Sequence, residues 1–389
     1  MNKQNKRLRE LYYITHIANI PSILRSGIFS HGKIEGENVA YTAIYDKAIV
    51  TGRNERFAPN GKSLWNFANL YFQPRNPMLY RVLLEKSPDD IAVIAVQNAV
   101  LNNPNIYITT GNAASFNSEI LSQAEGTKRI REMSEFINAT WWTEEAGTKR
   151  KIMAEVLVPD SIPANLISGI YVANHAVKRK VQALVTDREI EIVPEPNMFF
   201  APVYEFQLTP RLNLVKGDMF FSGKQTLTIS VNTVGIMGKG LASRAKYQFP
   251  DAYVEYQKVC RDGSMKMGLP YLYKREASLD YQLADQSFSL LHANRETWFL
   301  FFATKKHWKE NSDIKGIEQG LIWLRENYKE LGIKSLAMPA LGCGLGNLKW
   351  EDVGPIMCRN LNLDIPVSIH LPLEQEIKNE FLTQKYLLG

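Results

Sequence analysis

The sequence predicts two domains of different class in series: a mixed α+β domain over residues 1–207 and an α/β domain with a central sheet over residues 208–389. Proline placement marks the division. The stretch IEIVPEPNMFFAPVYEFQLTPRLNL (190–214) holds four prolines between apolar runs, and each proline biases the residue before it away from helix, which puts a boundary near Leu208. Beyond it strand-like and helix-like segments alternate, the pattern of a layered α/β fold. A chain of 389 residues is also too long for one ordinary core and suits two domains of roughly 150 to 200 residues each.

The first half opens with the helix-like NIPSILRSGIF (19–29) and ends with two strand candidates, KIMAEVLVP (151–159) and QALVTD (182–187). Aromatic-rich loops fill the space between. In the second half the runs LNLVKGDMF, LTISVNTVG, WFLFFATKK, SLAMPALGCGLG and VSIHL read as strands, each apolar for several residues. LASRAKYQFPDAYVEYQKVC and GIEQGLIWLRENYKEL between them have helical spacing. With 45% hydrophobic and 22% charged residues the composition is globular. No run approaches the roughly 20 apolar residues of a membrane span, and the start MNKQNKRLRE lacks the apolar core of a signal peptide, so a cytoplasmic chain without membrane contact is expected. Three cysteines (Cys260, Cys343, Cys358), none in a CxxC pair, suit a reducing compartment and offer no zinc site; no metal is expected. The net charge of +6 permits nucleic-acid contact without demanding it.

Two glycine-rich loops carry the chemistry of the second half. In SVNTVGIMGKGLA (230–242) the run from Gly235 to Gly240 follows a strand and precedes a helix, a place where backbone N–H groups meet phosphate. A Walker A loop needs four residues before its Gly-Lys and a Ser or Thr after it; here two residues separate Gly235 from Gly238, and Gly240 follows Lys239. ATP hydrolysis is not supported, and the spacing also fails the dinucleotide fingerprint. MPALGCGLGNLKW (338–350) places Gly342, Gly344 and Gly346 after a second strand. Two such strand ends in one domain suit a diphosphate gripped from both sides.

At these loops the sequence resembles a macrodomain, the ADP-ribose-binding module, over roughly residues 211–372. Among macrodomains it is most similar to the DarG type, which removes ADP-ribose from DNA: NTVGIMGKGLA stands for that group's NTVGVMGKGIA, and FATKKHW (302–308) for its FPTKRHW. The resemblance implies a three-layer α/β/α fold, with Asp218 at adenine. It implies that Asn232, Gly235, Ile236, Met237, Gly238, Lys239 and Gly240 hold the distal ribose, and that Gly342, Cys343, Gly344, Leu345 and Gly346 wrap the phosphates. Lys305 is implied as catalytic. A lysine of lowered pKa at a strand end can attack or protonate an anomeric centre; taken alone, it reads more readily as one of three basic residues (Lys305, Lys306, Lys309) on a solvated segment.

Three segments of the first half, ELYYITHIANIPSILRSGIF (10–29), NLYFQPRNPMLYRV (69–82) and KIMAEVLVPDSIP (151–163), together resemble the DarT family of NAD-dependent DNA ADP-ribosyltransferase toxins over residues 10–200. The resemblance implies an ADP-ribosyltransferase-like α+β fold and thymine in single-stranded DNA as acceptor. Transfer from NAD passes through an oxocarbenium-like state, which a carboxylate stabilises. Glu155, inside an apolar strand pattern where a lone carboxylate is costly, is the best acid candidate, and Glu144 and Glu145 read as loop surface. An arginine is implied on the acceptor side; Arg53 and Arg56 compete, with Arg56 preferred. Thr15, His16 and Asn19 are expected at nicotinamide or ribose, with Arg75, Met78 and Tyr80 shaping the same cleft. TGRNERFAPNGKSLW (51–65) suits a single-strand clamp, stacking on Phe57 or Trp65 and drawing charge from Arg53, Arg56 and Lys62. The whole reads as a toxin fused to its antitoxin, writing ADP-ribose on DNA and erasing it, with intramolecular contact between the two. Modification of protein or RNA, or a macrodomain that only binds ADP-ribose, remain open alternatives.

Overall fold

The computed structural model describes residues 10–45, 52–144, 147–186, 189–285, 290, 293–372 and 375–389. The chain divides into two compact units: Met1–Phe199 with Tyr281–His292, and Phe200–Asp280 with Ala293–Gly389. The division falls at Phe200 rather than Leu208, because Tyr204–Thr209 pairs with Leu212–Lys216 and so belongs to the second sheet. The assignment of Tyr281–His292 to the first unit has no counterpart in the sequence pattern.

In the first unit β1 (Glu10–His16), β2 (Ile28–Phe29), β3 (Phe67–Tyr71), β4 (Ile91–Gln97), β5 (Tyr107–Thr109), β6 (Ile120–Ser122), β7 (Glu155–Pro159), β8 (Ser161–Ile162), β9 (Ile167–Val172) and β10 (Glu191–Pro194) follow in order. Eight of them form one sheet, β10-β9-β4-β1-β3-β7-β5-β6, and β2 and β8 make a separate ribbon. β4, with the sequence IAVIAV, is buried along both faces, as a continuous apolar run in mid-sheet should be. Helix Ile20–Ser26 supplies Ile20, Ile23 and Leu24 to the core, at helical spacing, and starts with Pro21 in its first turn. QALVTD is not a strand: Gln182–Leu184 ends the helix His175–Leu184, whose Val177 and Val181 face the core behind an Asn174 cap. In β7 alternate residues diverge. Val156 and Val158 enter the main core, while Leu157 packs on the opposite face with Ala58, Leu64, Phe67 and Ala113. Glu155 shares the parity of Leu157.

The second unit holds β11 (Tyr204–Thr209), β12 (Leu212–Lys216), β13 (Thr226–Asn232), β14 (Tyr271–Tyr273), β15 (Trp298–Lys305), β16 (Leu336–Pro339) and β17 (Val367–His370). Their order is β11-β12-β17-β16-β13-β15-β14. The five inner strands are parallel and the two edges antiparallel. β15 shows why three layers form. Leu300 and Phe302 pack with helices Ile314–Leu331 and Trp350–Leu361 on one face. On the other, Phe299 and Phe301 meet Phe249 and Tyr256, beside and within the helix Pro250–Arg261. A Cβ on Gly320 would lie 2.5 Å from the Phe302 ring, so only glycine lets that helix settle on the sheet. Among the described residues no helix is long and apolar enough to cross a membrane, and no group of three or more His, Cys, Asp or Glu is placed to hold a metal ion.

Two candidate active sites

Glu155 opens β7 at 1% exposure. Its backbone N–H donates to Thr109 Oγ1 at 2.9 Å. Its carboxylate is held from two sides: the Ala113 N–H donates to Oε1 at 2.8 Å, and Arg53 Nη1 donates to Oε2 at 3.0 Å. Strand register sets Tyr71 of β3 opposite, where burial and then the neighbouring carboxylate hold its phenol well above the ordinary range. Burial opposes the charge on Arg53, but the Glu155 carboxylate outweighs it and keeps the guanidinium above its usual range. Arg53 Nη2 is buried and has no hydrogen-bond partner among the described residues. Such a donor costs about 1–3 kcal/mol, which an incoming oxygen acceptor recovers.

Arg56, preferred over Arg53 from the sequence, lies among backbone carbonyls. Its guanidinium donates to the carbonyls of Ala113, Ser115 and Ser118, tying down the loop that presents the Ala113 N–H. Burial pushes its pKa down. Glu144 takes Lys149 Nζ at 2.6 Å, and Glu145 lies outside the described residues.

Thr15 is buried on β1 and lines a cleft with Tyr13, Asn19, Phe29 and Tyr41. Asn19 donates to Thr15 Oγ1 at 3.1 Å and exchanges two 2.8 Å bonds with the Thr42 backbone, so its amide fixes the cleft wall. His16 caps the turn Ile17–Asn19, accepting the Ala18 N–H at 3.1 Å. Arg75, Met78 and Tyr80, expected in the same cleft, are not among its lining residues. Arg75 donates to the carbonyls of Asn197 and Thr140, Tyr80 is buried and Met78 half-buried in helix Pro77–Glu85. These bonds tie Arg75 to two backbone segments, and nothing in the motif's spelling distinguishes that from a ligand contact. Trp65 is likewise committed, stacked on His31 with centroids 4.4 Å apart and donating to Glu35 at 2.9 Å. Phe57 and Phe116 are exposed, at 59% and 88%. Phe116 lies beneath Arg56, its ring centroid 5.7 Å from the guanidinium, and escaped the sequence reading because its own segment carries no basic residue.

In the second unit the chemistry gathers at the carboxyl ends of β13, β15 and β16, where ligands of parallel sheets bind. The first glycine loop leaves β13 and runs into helix Gly240–Gln248, whose first N–H groups face the loop. Ile236 is 45% exposed, Gly238 and Lys239 are exposed and Met237 is buried beneath. Gly240, at φ +62°, would bring a Cβ within 3.4 Å of Leu345 Cδ1, so the two loops face one another. In the second loop Gly342 lies at φ +75°, and a Cβ on Gly346 would strike Ser312 Oγ at 2.2 Å; Gly344 is open. Cys343 is buried, its thiol pushed up to about 12 by burial, which leaves it inert.

Lys305, at the end of β15, donates to the Leu345 carbonyl at 3.0 Å, and burial lowers its pKa. Asn232 spends its amide on the first loop. It donates to Ile236 O at 2.6 Å and accepts the N–H groups of Val234 and Ile236 and the hydroxyl of Tyr256. Tyr256, absent from the sequence reading, also donates to the Asn232 carbonyl at 2.8 Å. Asp218 pairs with Arg244 at 2.8 Å, and Arg244 lies over the Phe220 ring at 4.4 Å.

The family model described as ssDNA thymidine ADP-ribosyltransferase, DarT, matches residues 12–200, and the Macro domain model matches residues 297–357. A DNA ADP-ribosyl transferase-DNA ADP-ribosyl glycohydrolase fusion protein of Thermosipho africanus is 54% identical over 384 residues, 98% of this chain and 99% of the relative. The chain belongs to this DarTG fusion family. The solved structure of Thermosipho africanus DarTG in complex with ADP-ribose covers 98% of this chain and all of the other, with a TM-score of 0.93 at 53% identity. A DNA ADP-ribosyl glycohydrolase of Thermus aquaticus is 36% identical over 142 residues, 36% of this chain and 35% of that protein. The first unit is thus an α+β transferase fold and the second an α/β macrodomain.

Proposed function

We propose that the first unit transfers ADP-ribose from NAD to a thymine of single-stranded DNA, and that the macrodomain binds the product and removes ADP-ribose from it. The observation that carries the first half is the buried Glu155 carboxylate, clamped by Ala113 and Arg53 on a sheet face away from the main core. In transfer, the bond between the donor ribose and nicotinamide breaks, and nicotinamide leaves with the bonding electrons. Glu155 accepts from ribose hydroxyls and offsets the positive charge that develops at the ribose carbon. A base nitrogen attacks that carbon and releases its proton to solvent; Arg53 Nη2, buried without a partner among the described residues, holds a base oxygen as negative charge builds. On this reading Arg53, rather than Arg56, is the acceptor-side residue.

For removal, the two glycine loops take the diphosphate on backbone N–H groups and Asp218 the adenine. The bond between the base nitrogen and the anomeric carbon breaks: Lys305, whose pKa burial lowers, attacks that carbon, the base leaves with the bonding electrons and takes a proton from solvent, and water then displaces the amine to free ADP-ribose. Both activities lie where NAD and DNA do, in the cytoplasm. The test uses Lys305→Ala protein, NAD and single-stranded oligonucleotides each lacking one base type, read by intact mass. A gain of one ADP-ribose, absent only without thymine and lost in Glu155→Ala, is expected; a gain on none of them, with modification of protein or RNA instead, would overturn the assignment.

A further inference from the structure

Resting on the Glu155 reading, we propose that Asp285 is a positioning residue for transfer, acting through Asn112 on the N–H that holds the Glu155 carboxylate. Asp285 lies 130 residues beyond Glu155 in sequence, in the segment Tyr281–His292 that joins the transferase unit although the chain on either side belongs to the macrodomain.

The segment is fastened at several points. Buried Trp142 donates to the Leu283 carbonyl at 2.9 Å. The Asp285 N–H donates to the Pro77 carbonyl at 3.1 Å, and Arg81 donates to the Asp285 carbonyl at 3.2 Å. With its backbone so fixed, the carboxylate accepts from Asn112 Nδ2 at 3.1 Å. Asn112 shapes the turn that follows it: its Oδ1 accepts the Ala114 N–H at 2.9 Å, and its carbonyl accepts the Ser115 N–H at 3.0 Å. Ala113 stands between, its N–H on Glu155 Oε1.

A side-chain amide can turn over and exchange its donor and acceptor ends. A carboxylate only accepts, so Asp285 fixes the Nδ2 end toward itself and leaves the Oδ1 end for Ala114. Without it the amide loses its orienting partner, the turn loosens and the Ala113 N–H wanders from Glu155. A group held within tenths of an ångström loses rate steeply when released. The cleft beside β1 is lined by none of Asn112, Ala113 and Asp285, so the loss falls on kcat more than on KM for NAD.

The experiment compares full-length proteins in the Lys305→Ala background, with and without Asp285→Ala, Asp285→Asn, Asn112→Ala and the pair Asn112→Ala with Asp285→Ala. Initial rates of oligonucleotide modification are measured against NAD concentration. Asp285→Ala is expected to lower kcat about tenfold with KM for NAD within about twofold. Asp285→Asn keeps an acceptor oxygen on an amide that can also turn its donor end, and recovers part of the rate. In the Asn112→Ala background Asp285→Ala costs nothing more. Equal kcat in Asp285→Ala and its parent, an equal cost in both backgrounds, or a loss confined to KM would overturn the proposal. An inactive parent would overturn the Glu155 reading itself, and this one with it. KM for NAD near the parent's and an unchanged unfolding transition of the full-length protein separate positioning from misfolding.

Discussion

The two units build their sites in opposite ways. The macrodomain's parts are short contiguous loops at the ends of neighbouring parallel strands, with a lysine on the strand alongside. The transferase assembles one carboxylate from segments far apart in the chain: Arg53, Ala113 and Glu155 itself, with Asn112 and Asp285 behind them. A local site survives as a spelling. A dispersed one exists only after folding.

That contrast can be sharpened within the macrodomain by two glycines of one loop. Gly346→Ala drives a Cβ to 2.2 Å from Ser312 Oγ and 2.5 Å from the Gly342 carbonyl, whereas Gly344→Ala meets nothing within 4 Å. Calorimetry with ADP-ribose should show Gly346→Ala binding weakened about a hundredfold, a change of about 2.7 kcal/mol, with Gly344→Ala near the parent. Equal loss in both would mean that the side chain obstructs the ligand directly and the loop's packing is immaterial.

In the transferase the matching comparison is between two arginines. Arg53→Lys keeps a cation but loses the fork that spans Glu155 and the acceptor; transfer should fall about tenfold to a hundredfold with the melting temperature little changed. Arg56→Lys removes bonds to three loop carbonyls, and its larger effect should be on stability, about 1–3 kcal/mol by denaturant unfolding. The reverse pattern would return the acceptor role to Arg56.

The smallest effect concerns pH. Burial and then Arg53 lower the His31 pKa to about 4, against the opposing pull of Glu35, with Trp65 stacked on the ring and the Tyr45 hydroxyl 3.1 Å away. The unfolded imidazole takes its proton near 6.5 while the folded one resists until about 4. The stability His31 contributes is therefore whole above pH 6.5 and lost progressively as pH falls to about 4. His31→Gln should flatten that part of the unfolding curve; an unchanged slope would assign it to other groups.

Strand and helix positions of the second half were legible because parallel strands buried on both faces read as apolar runs, and the glycine loops follow directly from them. QALVTD misled because a short apolar run does not distinguish strand from the last turn of an amphipathic helix. Glu155 was legible as a carboxylate in an apolar strand, but its clamp was not. Arg53 and Arg56 lie three residues apart with like side chains, and only the fold sends one to a carboxylate and the other to carbonyls. The commitment of Asn232 to its own loop was invisible for the same reason, since its partner Tyr256 comes from a helix 24 residues on.

The central claim is that one chain carries two opposed reactions on separate residues. It is tested most directly by measuring both rates, transfer to an oligonucleotide and release of ADP-ribose from a pre-modified one, in Glu155→Gln and Lys305→Ala proteins. Glu155→Gln should lose transfer about a thousandfold and keep release. Lys305→Ala should lose release about a hundredfold and accumulate product. Loss of both activities in either variant, or release undiminished in Lys305→Ala, would contradict the account.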